Sequence, residues 1–489
     1  MAILIVVSDP RQWPFEHSGV EVVDAKSYLT KPEFSDLRGV KLFNLCRSYR
    51  YQNIGYYVSL LAEARGHKPQ PSVATIQDLK TQAVVRLVSN ELDTLIQKSL
   101  SRIQSQRFTL SVYFGRNLAK RYDRLSLQLF NMFQSPLLRA QFVREKKWQL
   151  KSVSTISASE LPEGHRDFVA KVAEEHFAGR RPRVKRKSTP RYDLAILRNP
   201  QEAEPPSDEK ALERFTKAAE SMGIGVDFIG PDDYGRLAEF DALFIRETTR
   251  VNHHTYRFSR RAAAEGLVVI DDPASIVRCT NKVYLAELLA RHKIDMPKTL
   301  VVHKGNVDQV ERELGLPCVL KQPDSEFSRG VVKAETAEEL AAELARLLDE
   351  SDLVVAQQFL PTTFDWRIGI LDQRPLYACK YHMASGHWQI VKRGVKGDDH
   401  YGRVETLPVE VAPRKAVSVA LKAANLIGDG LYGVDVKQSG DRFCIVEVND
   451  NPTIEASVED KILRSELYRR VMAVFLSRIE QRKLGMRQP

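Results

Sequence analysis

The hydrophobic and polar positions change period several times along the chain, and those changes predict its elements. AILIVVS at the start, then VEVVDA and VKLFNL, are short apolar runs rich in branched residues, as strands are, while IGYYVSLLAEARG is an amphipathic helix stopped at Gly66. RFTLSVYFG reads as another strand, and LSLQLFNMF and SPLLRAQFV read as helices. Residues 1–150 are therefore expected to form an N-terminal α/β domain. Residues 151–190 are polar, end in GRRPRVKRK and STP, and read as a linker.

A second α/β block opens at YDLAILRNP. A helix over Lys210 to Met222 follows, then the strands GVDFIG, DALFIRE and LVVIDDP. Strands alternating with helices in this way imply βαβ units and a parallel sheet over 191–275. From Cys279 the pattern changes to hairpin strands mixed with helices, which implies an α+β region with antiparallel sheets over 276–485. The fold class is thus α/β and α+β, multidomain, with no internal repeat evident.

Within the last region, LYGVDVKQSGDRFCIVEVND reads as a hairpin. Period-two alternation puts Cys444, Val446 and Val448 on one face of its second strand and Ile445, Glu447 and Asn449 on the other. Pairing brings Asp435 beside Glu447 and Asn449. Two carboxylates and an amide are a hard-oxygen set, suited to Mg²⁺ rather than zinc; Glu-x-Asn on a solvent-facing edge strand is the plainer alternative.

Two lysines favour the first reading. Lys321 sits inside the apolar strand PCVLKQP, where an unpaired ammonium is costly to bury. Lys282 opens a helix, with Thr280 or Asn281 available as cap, where the helix dipole disfavours a cation without an anion nearby. The small polar loop DSEFSRG after Lys321 suits closure over phosphates. FDWRIGIL places Asp365 and Arg367 on one strand face, where a guanidinium can clamp a carboxylate or phosphate.

Other chemistries find no support. GDGLYG matches G-x-G-x-x-G, but a helix precedes it and a strand follows, the reverse of a dinucleotide-binding turn. P-loop, HEXXH and GXSXG patterns are absent. The 489 residues are 43% hydrophobic and 28% charged, an ordinary globular composition, and no apolar run reaches the roughly 18 residues of a membrane span. Met1 leads straight into a short apolar run and Asp-Pro, which reads as a first strand rather than a signal peptide. Five scattered cysteines without CxxC fit a reducing cytoplasm. The net charge of +10 suits an anionic substrate or an acidic partner. Six of the nine residues 179–187 are basic without interleaved aromatics, which argues against nucleic acid.

The order NKVYLAELLARHKIDMP, PCVLKQPDSEFSRGVVKAE, VVAQQFLPTTFDWRIGIL and GVDVKQSGDRFCIVEVNDNP resembles the ATP-grasp superfamily, most closely the RimK-type carboxylate–amine ligases. The resemblance covers roughly Tyr192 to Ile479. It implies a pre-ATP-grasp domain over 191–275, a two-subdomain ATP-grasp fold over 276–485, and a RimK-associated domain before them. By the same resemblance Lys282 and Lys321 touch ATP phosphates, with Ser328 and Gly330 in the closing loop. Gln358, Phe359 and Leu360 form the adenine hinge, Asp365 faces the ribose, and Asp435, Glu447 and Asn449 hold one or two Mg²⁺ ions, or Mn²⁺. Arg367 and Arg393 are the catalytic candidates.

The implied reaction is ADP-forming amide synthesis through an acyl phosphate. Glutamate or another acidic amino acid is one substrate, and a small amino acid, a peptide or a protein terminus is the other, in a cytoplasmic homo-oligomer with no membrane partner. A non-catalytic ATP sensor is the alternative. The closing loop, DSEFSRG, is bulkier and more charged than the family's glycine-rich loop, and Arg329 adds a cation. GHWQIVKRGVKG, with His387, Gln389, Lys392 and Arg393, stands where the family has an Arg-Ser-Asn segment.

Overall fold

The computed structural model describes residues 3–35, 37, 40–178, 190–324, 330–392 and 400–484. They divide into two compact units: residues 1–193 with 230–241, and residues 194–229 with 242–489.

The first unit carries β1 (Ile3–Val7), β2 (Val20–Asp24), α1 (Ala25–Thr30), β3 (Lys41–Asn44), α2 (Ile54–Ala64), β4 (Lys68–Gln70), α3 (Val73–Asp78), α4 (Gln82–Glu91), α5 (Asp93–Leu100), β5 (Arg107–Tyr113), α6 (Asp123–Phe133), β6 (Leu137–Arg144), β7 (Trp148–Thr155) and α7 (Arg166–Ala178). Strands β2-β1-β3-β4 make a parallel sheet. It is apolar on both faces because β1 is: Leu4 and Val6 pack with Tyr28 and Val58, while Ile3, Ile5 and Val7 pack with Trp13 and Val169. Strands β5-β6-β7 form an antiparallel sheet.

Two expectations change here. SPLLRAQFV is not helical but supplies β6, paired with β5 and β7. Leu138, Ala140 and Phe142 are buried while Gln141 is exposed, so period two decides over the helical reading of a short apolar run. The stretch read as linker carries most of β7 and all of α7, held by Val153, Val169, Val172 and Ala173. The basic run 179–187 lies outside the described residues.

A buried charge cluster in this unit sets a pH dependence. Glu239 receives Lys41 Nζ at 2.6 Å and lies 3.6 Å from His176 Nε2. Burial holds the His176 imidazole down to about 4, against the pull of Glu239. The unfolded chain therefore binds a proton at about 6.5 that the folded chain refuses until about 4, so stability is full above pH 6.5 and falls as pH drops through that window. We expect a loss of about 3 kcal/mol between pH 7 and pH 4 from this group alone. Denaturant unfolding of the full chain at a series of pH values should show it, with a shallower slope in His176→Phe.

The second unit holds β8 (Tyr192–Leu197, entering from the first), α8 (Glu209–Ser221), β9 (Ile224–Ile229), β10 (Ala242–Ile245), α9 (His254–Ala264), β11 (Val268–Ile270), α10 (Pro273–Thr280) and α11 (Lys282–Arg291). β12 (Thr299–Val302), α12 (Gln309–Leu314), β13 (Cys318–Lys321), β14 (Val331–Ala334), α13 (Ala337–Glu350) and β15 (Val354–Gln358) follow. The rest is β16 (Phe364–Leu371), β17 (Arg374–His382), β18 (Val391–Lys392), β19 (His400–Tyr401), β20 (Val404–Leu407), α14 (Arg414–Ile427), β21 (Leu431–Ser439), β22 (Arg442–Asn449) and α15 (Ser465–Lys483). Its sheets are a parallel β9-β8-β10-β11 layer, antiparallel β12-β15-β13-β14 and β20-β17-β16-β21-β22 layers, and the short pair β18-β19. This is the mixed α/β and α+β architecture expected from the sequence. Among the described residues no helix is long and apolar enough to cross a membrane.

The chain does contain a repeat. The sheet order β2-β1-β3-β4 recurs as β9-β8-β10-β11. From α2 onward the two copies run in step at an offset of 200: α2 with α9, β4 with β11, and α3 and α4 with α10 and α11. Local details recur too. Ser59 Oγ donates to the Pro71 carbonyl at 2.7 Å and Ser259 Oγ to the Asp271 carbonyl at 2.7 Å. Ser72 and Asp272 cap α3 and α10, and Gly66 and Gly266 end α2 and α9 with φ of +68° and +76°. The shared identities, such as Tyr56/Tyr256, Ala62/Ala262 and Ile76/Ile276, are too thinly spread to show as a sequence period.

Candidate active site

A cavity of about 730 Å³ lies within the second unit, walled by both antiparallel sheets and by loops at the C-terminal edge of the parallel one. Alternation along each strand decides what faces it. On β16, Trp366, Ile368 and Ile370 enter the core and leave Asp365 and Arg367 for the cavity. On β21, Tyr432, Val434 and Val436 enter the core and leave Asp435 and Lys437. Gly433 lies between these sets, where a Cβ would come 2.7 Å from Pro452 Cβ, so only glycine allows that close approach.

The last strand departs from strict alternation. Asp435 pairs with Glu447 but Val436 pairs with Ile445, so Val446 is the extra residue of a β-bulge. Ile445 and Val448 both enter the core, and Val446, Glu447 and Asn449 line the cavity. Ile445 therefore does not share a face with Glu447, because the bulge shifts the phase by one residue.

The cations of the cavity are held by acids or amides. Arg367 Nε and Nη2 each donate to one oxygen of Asp435 at 2.7 Å, a bidentate pair, with the guanidinium 4.8 Å from the Tyr381 ring centre. Lys437 Nζ donates to Asp365 Oδ1 at 2.8 Å, and Lys282 Nζ lies 3.2 Å from Glu447 Oε1. Lys321 Nζ donates to Gln357 Oε1 at 2.8 Å, and Gln357 in turn donates to Thr299 Oγ1. Asn281 accepts from the Tyr284 N–H, so it is the cap of α11 that presents Lys282.

These contacts set the protonation states. Burial lowers Lys321 to about 8. Burial pushes Glu447 upward, but Lys282 and Lys321 outweigh it and keep the carboxyl below its usual range. Burial raises Asp435 in spite of Arg367. Asn449 Nδ2 points to Asp435 Oδ2 and the Gly433 carbonyl, both at 3.4 Å, which leaves its Oδ1 as the atom for a cation. Asp435, Glu447 and Asn449 thus converge as oxygen donors, and the set fits Mg²⁺ or Mn²⁺.

Gln358, Phe359 and Leu360 line the cavity at the end of β15. Phe359 meets Trp388 edge-on at 6.0 Å, and Lys333 Nζ lies over both rings. Gly330 adopts φ of +70°, and its carbonyl accepts from the Gln322 N–H. His387 contacts Gln389 at 3.1 Å, and Gln389 and Trp388 line the cavity. Ser328, Arg329 and Arg393 lie outside the described residues, as does the side chain of Lys392.

Sequence reasoning missed Lys437, Lys333 and Gln357. Lys437 stands two positions after Asp435, so period two alone would have found it. It also missed Arg246, fully buried, which donates to the Pro452 carbonyl at 2.9 Å and to Asn451 Oδ1 at 2.7 Å, and bonds Ser207 and the Pro206 carbonyl. Arg246 fixes the segment that follows Asn449. A further wall is acidic, with Asp208, Glu455 and Glu459. Glu459 is buried, accepts from the Tyr381 hydroxyl, and is raised by burial.

A family model described as the RimK-like ATP-grasp domain matches residues 279–467, and one described as the RimK-like ATPgrasp N-terminal domain matches residues 25–172. The α-aminoadipate–LysW ligase LysX of Saccharolobus solfataricus is 28% identical over 202 residues, covering 40% of this chain and 69% of that protein. The Shewanella denitrificans protein named Probable alpha-L-glutamate ligase 1 is 26% identical over 223 residues, 45% of this chain and 72% of that one. Among solved structures, D-alanine–D-alanine ligase from Bacillus anthracis superposes with a TM-score of 0.45 at 14% identity, over 60% of this chain and 99% of that one.

Proposed function

We propose that this chain, which belongs to the RimK-like ATP-grasp family, joins a substrate carboxylate to an amine with conversion of ATP to ADP and phosphate. The observation that carries this reading is the pairing inside the cavity: Arg367 with Asp435, Lys282 with Glu447, Lys437 with Asp365. Each cation suits a phosphate or acyl phosphate, and each acid suits a metal ion or a ribose. The cations and acids neutralise one another in pairs, and a bound triphosphate would draw the cations away from the acids.

In this reading Lys282 and Lys321 take the triphosphate, and Gln358, Phe359 and Leu360 border the adenine beside Trp388. Asp365 takes the ribose, and Arg367 steadies the charge that moves from γ-phosphate to acyl phosphate. Ser328, Gly330 and Arg393 complete the nucleotide and substrate contacts. Asp435, Glu447 and Asn449 would hold Mg²⁺, which when bound neutralises phosphate charge. A carboxylate oxygen attacks the γ-phosphorus and ADP leaves; the amine nitrogen then attacks the acyl carbon, phosphate leaves, and the nitrogen loses a proton.

The names of the relatives support glutamate or another acidic amino acid as one substrate and an amino acid, peptide or protein terminus as the other. The wall of Asp208, Glu455 and Glu459 suits an ammonium group. Residues 191–275 and 276–485 serve as pre-ATP-grasp and ATP-grasp domains of a cytoplasmic homo-oligomer. The test is ADP and phosphate release with Mg²⁺ across pairs of amino acids and peptides. ADP formation that depends on both partners supports the ligase, AMP formation overturns the acyl-phosphate route, and ATP binding without turnover for any pair moves the reading to a sensor.

Lys321 supplies a separate check. With its ammonium at about 8 in the free chain, a phosphate beside it favours the charged form, so ATP binding at pH 8 should take up a fraction of a proton. Titration calorimetry in buffers of different ionisation enthalpy reads that uptake, and it should vanish in Lys321→Met.

A further inference from the structure

Glu247 raises a question that the nucleotide cavity does not answer. It follows Arg246 just beyond β10, and only 2% of it is exposed. Burying a carboxylate is costly, and the repeat shows that the fold does not require one there. Leu45 N–H donates to the Val6 carbonyl as Arg246 N–H donates to the Leu197 carbonyl, so the counterpart of Glu247 is Cys46. The residues facing Glu247 also differ between the copies: His253 and His254 stand where the first copy has Asn53 and Ile54.

We propose that Glu247, His253 and His254 form a binding site for a transition-metal ion, with Zn²⁺ as the best fit, separate from the oxygen donors of the nucleotide cavity. One ligand atom from each of the three residues lies within 4.8 Å of the other two, and among the described residues this is the one such group of three. His254 Nε2 is 2.9 Å from Glu247 oxygen. Tetrahedral Zn²⁺ with bonds of about 2.0 Å needs donors about 3.3 Å apart, so the pair opens by a few tenths of an ångström to admit it.

The ring centres of His253 and His254 lie 3.9 Å apart, and each ring has a nitrogen within 4.8 Å of a Glu247 oxygen. His253 Nδ1 is engaged by Thr255 Oγ1 at 3.1 Å, so Nε2 is the atom left to bind, and a metal-bound histidine typically has its other nitrogen fixed in this way. Three protein ligands leave one position for water or a substrate group. The next residues, Thr248 and Thr249, line the nucleotide cavity, and Asn451 Nδ2 donates to the Glu247 carbonyl at 2.7 Å.

The probe is Co²⁺, followed by Zn²⁺, added to the metal-stripped full chain without nucleotide. A four-coordinate Co²⁺ site absorbs strongly in the visible, whereas a six-coordinate oxygen site absorbs weakly. We expect one strongly absorbing Co²⁺ per chain, displaced by one Zn²⁺. The band should be lost in His253→Ala and retained in Glu447→Gln. Glu247→Gln keeps the buried volume and should weaken Zn²⁺ binding at least a hundredfold with an unchanged circular dichroism spectrum. No band, a band that survives His253→Ala, or a band that disappears in Glu447→Gln would each overturn the site.

Discussion

Glu447→Gln should lower ligase turnover by about a thousandfold, near 4 kcal/mol of transition-state stabilisation, while leaving metal-free ATP binding as tight as in the parent chain or tighter. The two effects run in opposite directions because Glu447 faces two sets of charges. It lies 3.2 Å from Lys282 Nζ, and Lys282 and Lys321 hold it ionised despite its burial. Removing its charge leaves those lysines with more uncompensated positive potential, which attracts a polyphosphate. The same change removes one of the two carboxylates that would hold Mg²⁺, so metal-assisted phosphoryl transfer is lost. Equilibrium dialysis with and without Mg²⁺, beside a steady-state ADP assay, separates the two. Loss of metal-free ATP binding together with turnover would mean that Glu447 serves the fold and not the metal.

Arg246→Ala should destabilise the second unit by about 3–5 kcal/mol, the largest stability effect we expect from a single side chain. Arg246 is 1% exposed, and its guanidinium satisfies the carbonyls of Pro206 and Pro452, the Ser207 hydroxyl and the Asn451 amide oxygen. Burial lowers its pKa to about 10, still far above neutrality, so the charge persists at pH 7. Alanine leaves those acceptors buried without their donor and opens a cavity. Lysine keeps the charge but cannot reproduce the fork of donors, so Arg246→Lys should recover only part of the loss. Thermal unfolding of the three proteins measures the ranking. Equal midpoints would show that the loops close without the arginine.

The strands that build the cavity could be read from the sequence because their faces differ in kind. FDWRIGIL and LYGVDVKQ alternate charged and apolar residues, and a strand that buries one set must expose the other. What could not be read was anything set by partners distant in sequence. Val446 carries no mark of a bulge; the register against β21 creates it. SPLLRAQFV fits both a helix and a strand, and pairing with β5 and β7 decides. Asp435 was legible as an oxygen donor, but its capture by Arg367 follows from facing register positions on two strands, 68 residues apart. Lys437 was within reach of the same alternation that found Asp435.

The repeat gives the chain an internal reference for interpreting its own variants. Ser59 and Ser259 make the same bond in both copies, so a saturation mutagenesis library should score them alike, as sites that report folding. Leu45 and Arg246 occupy equivalent positions with unlike side chains, and there the two score profiles should diverge. Across the run from Ile54 to Glu91, the difference between each position and the one 200 residues later separates what the scaffold demands from what the second copy has acquired. No homologous sequence is needed for that subtraction, because one polypeptide supplies both the sample and its blank.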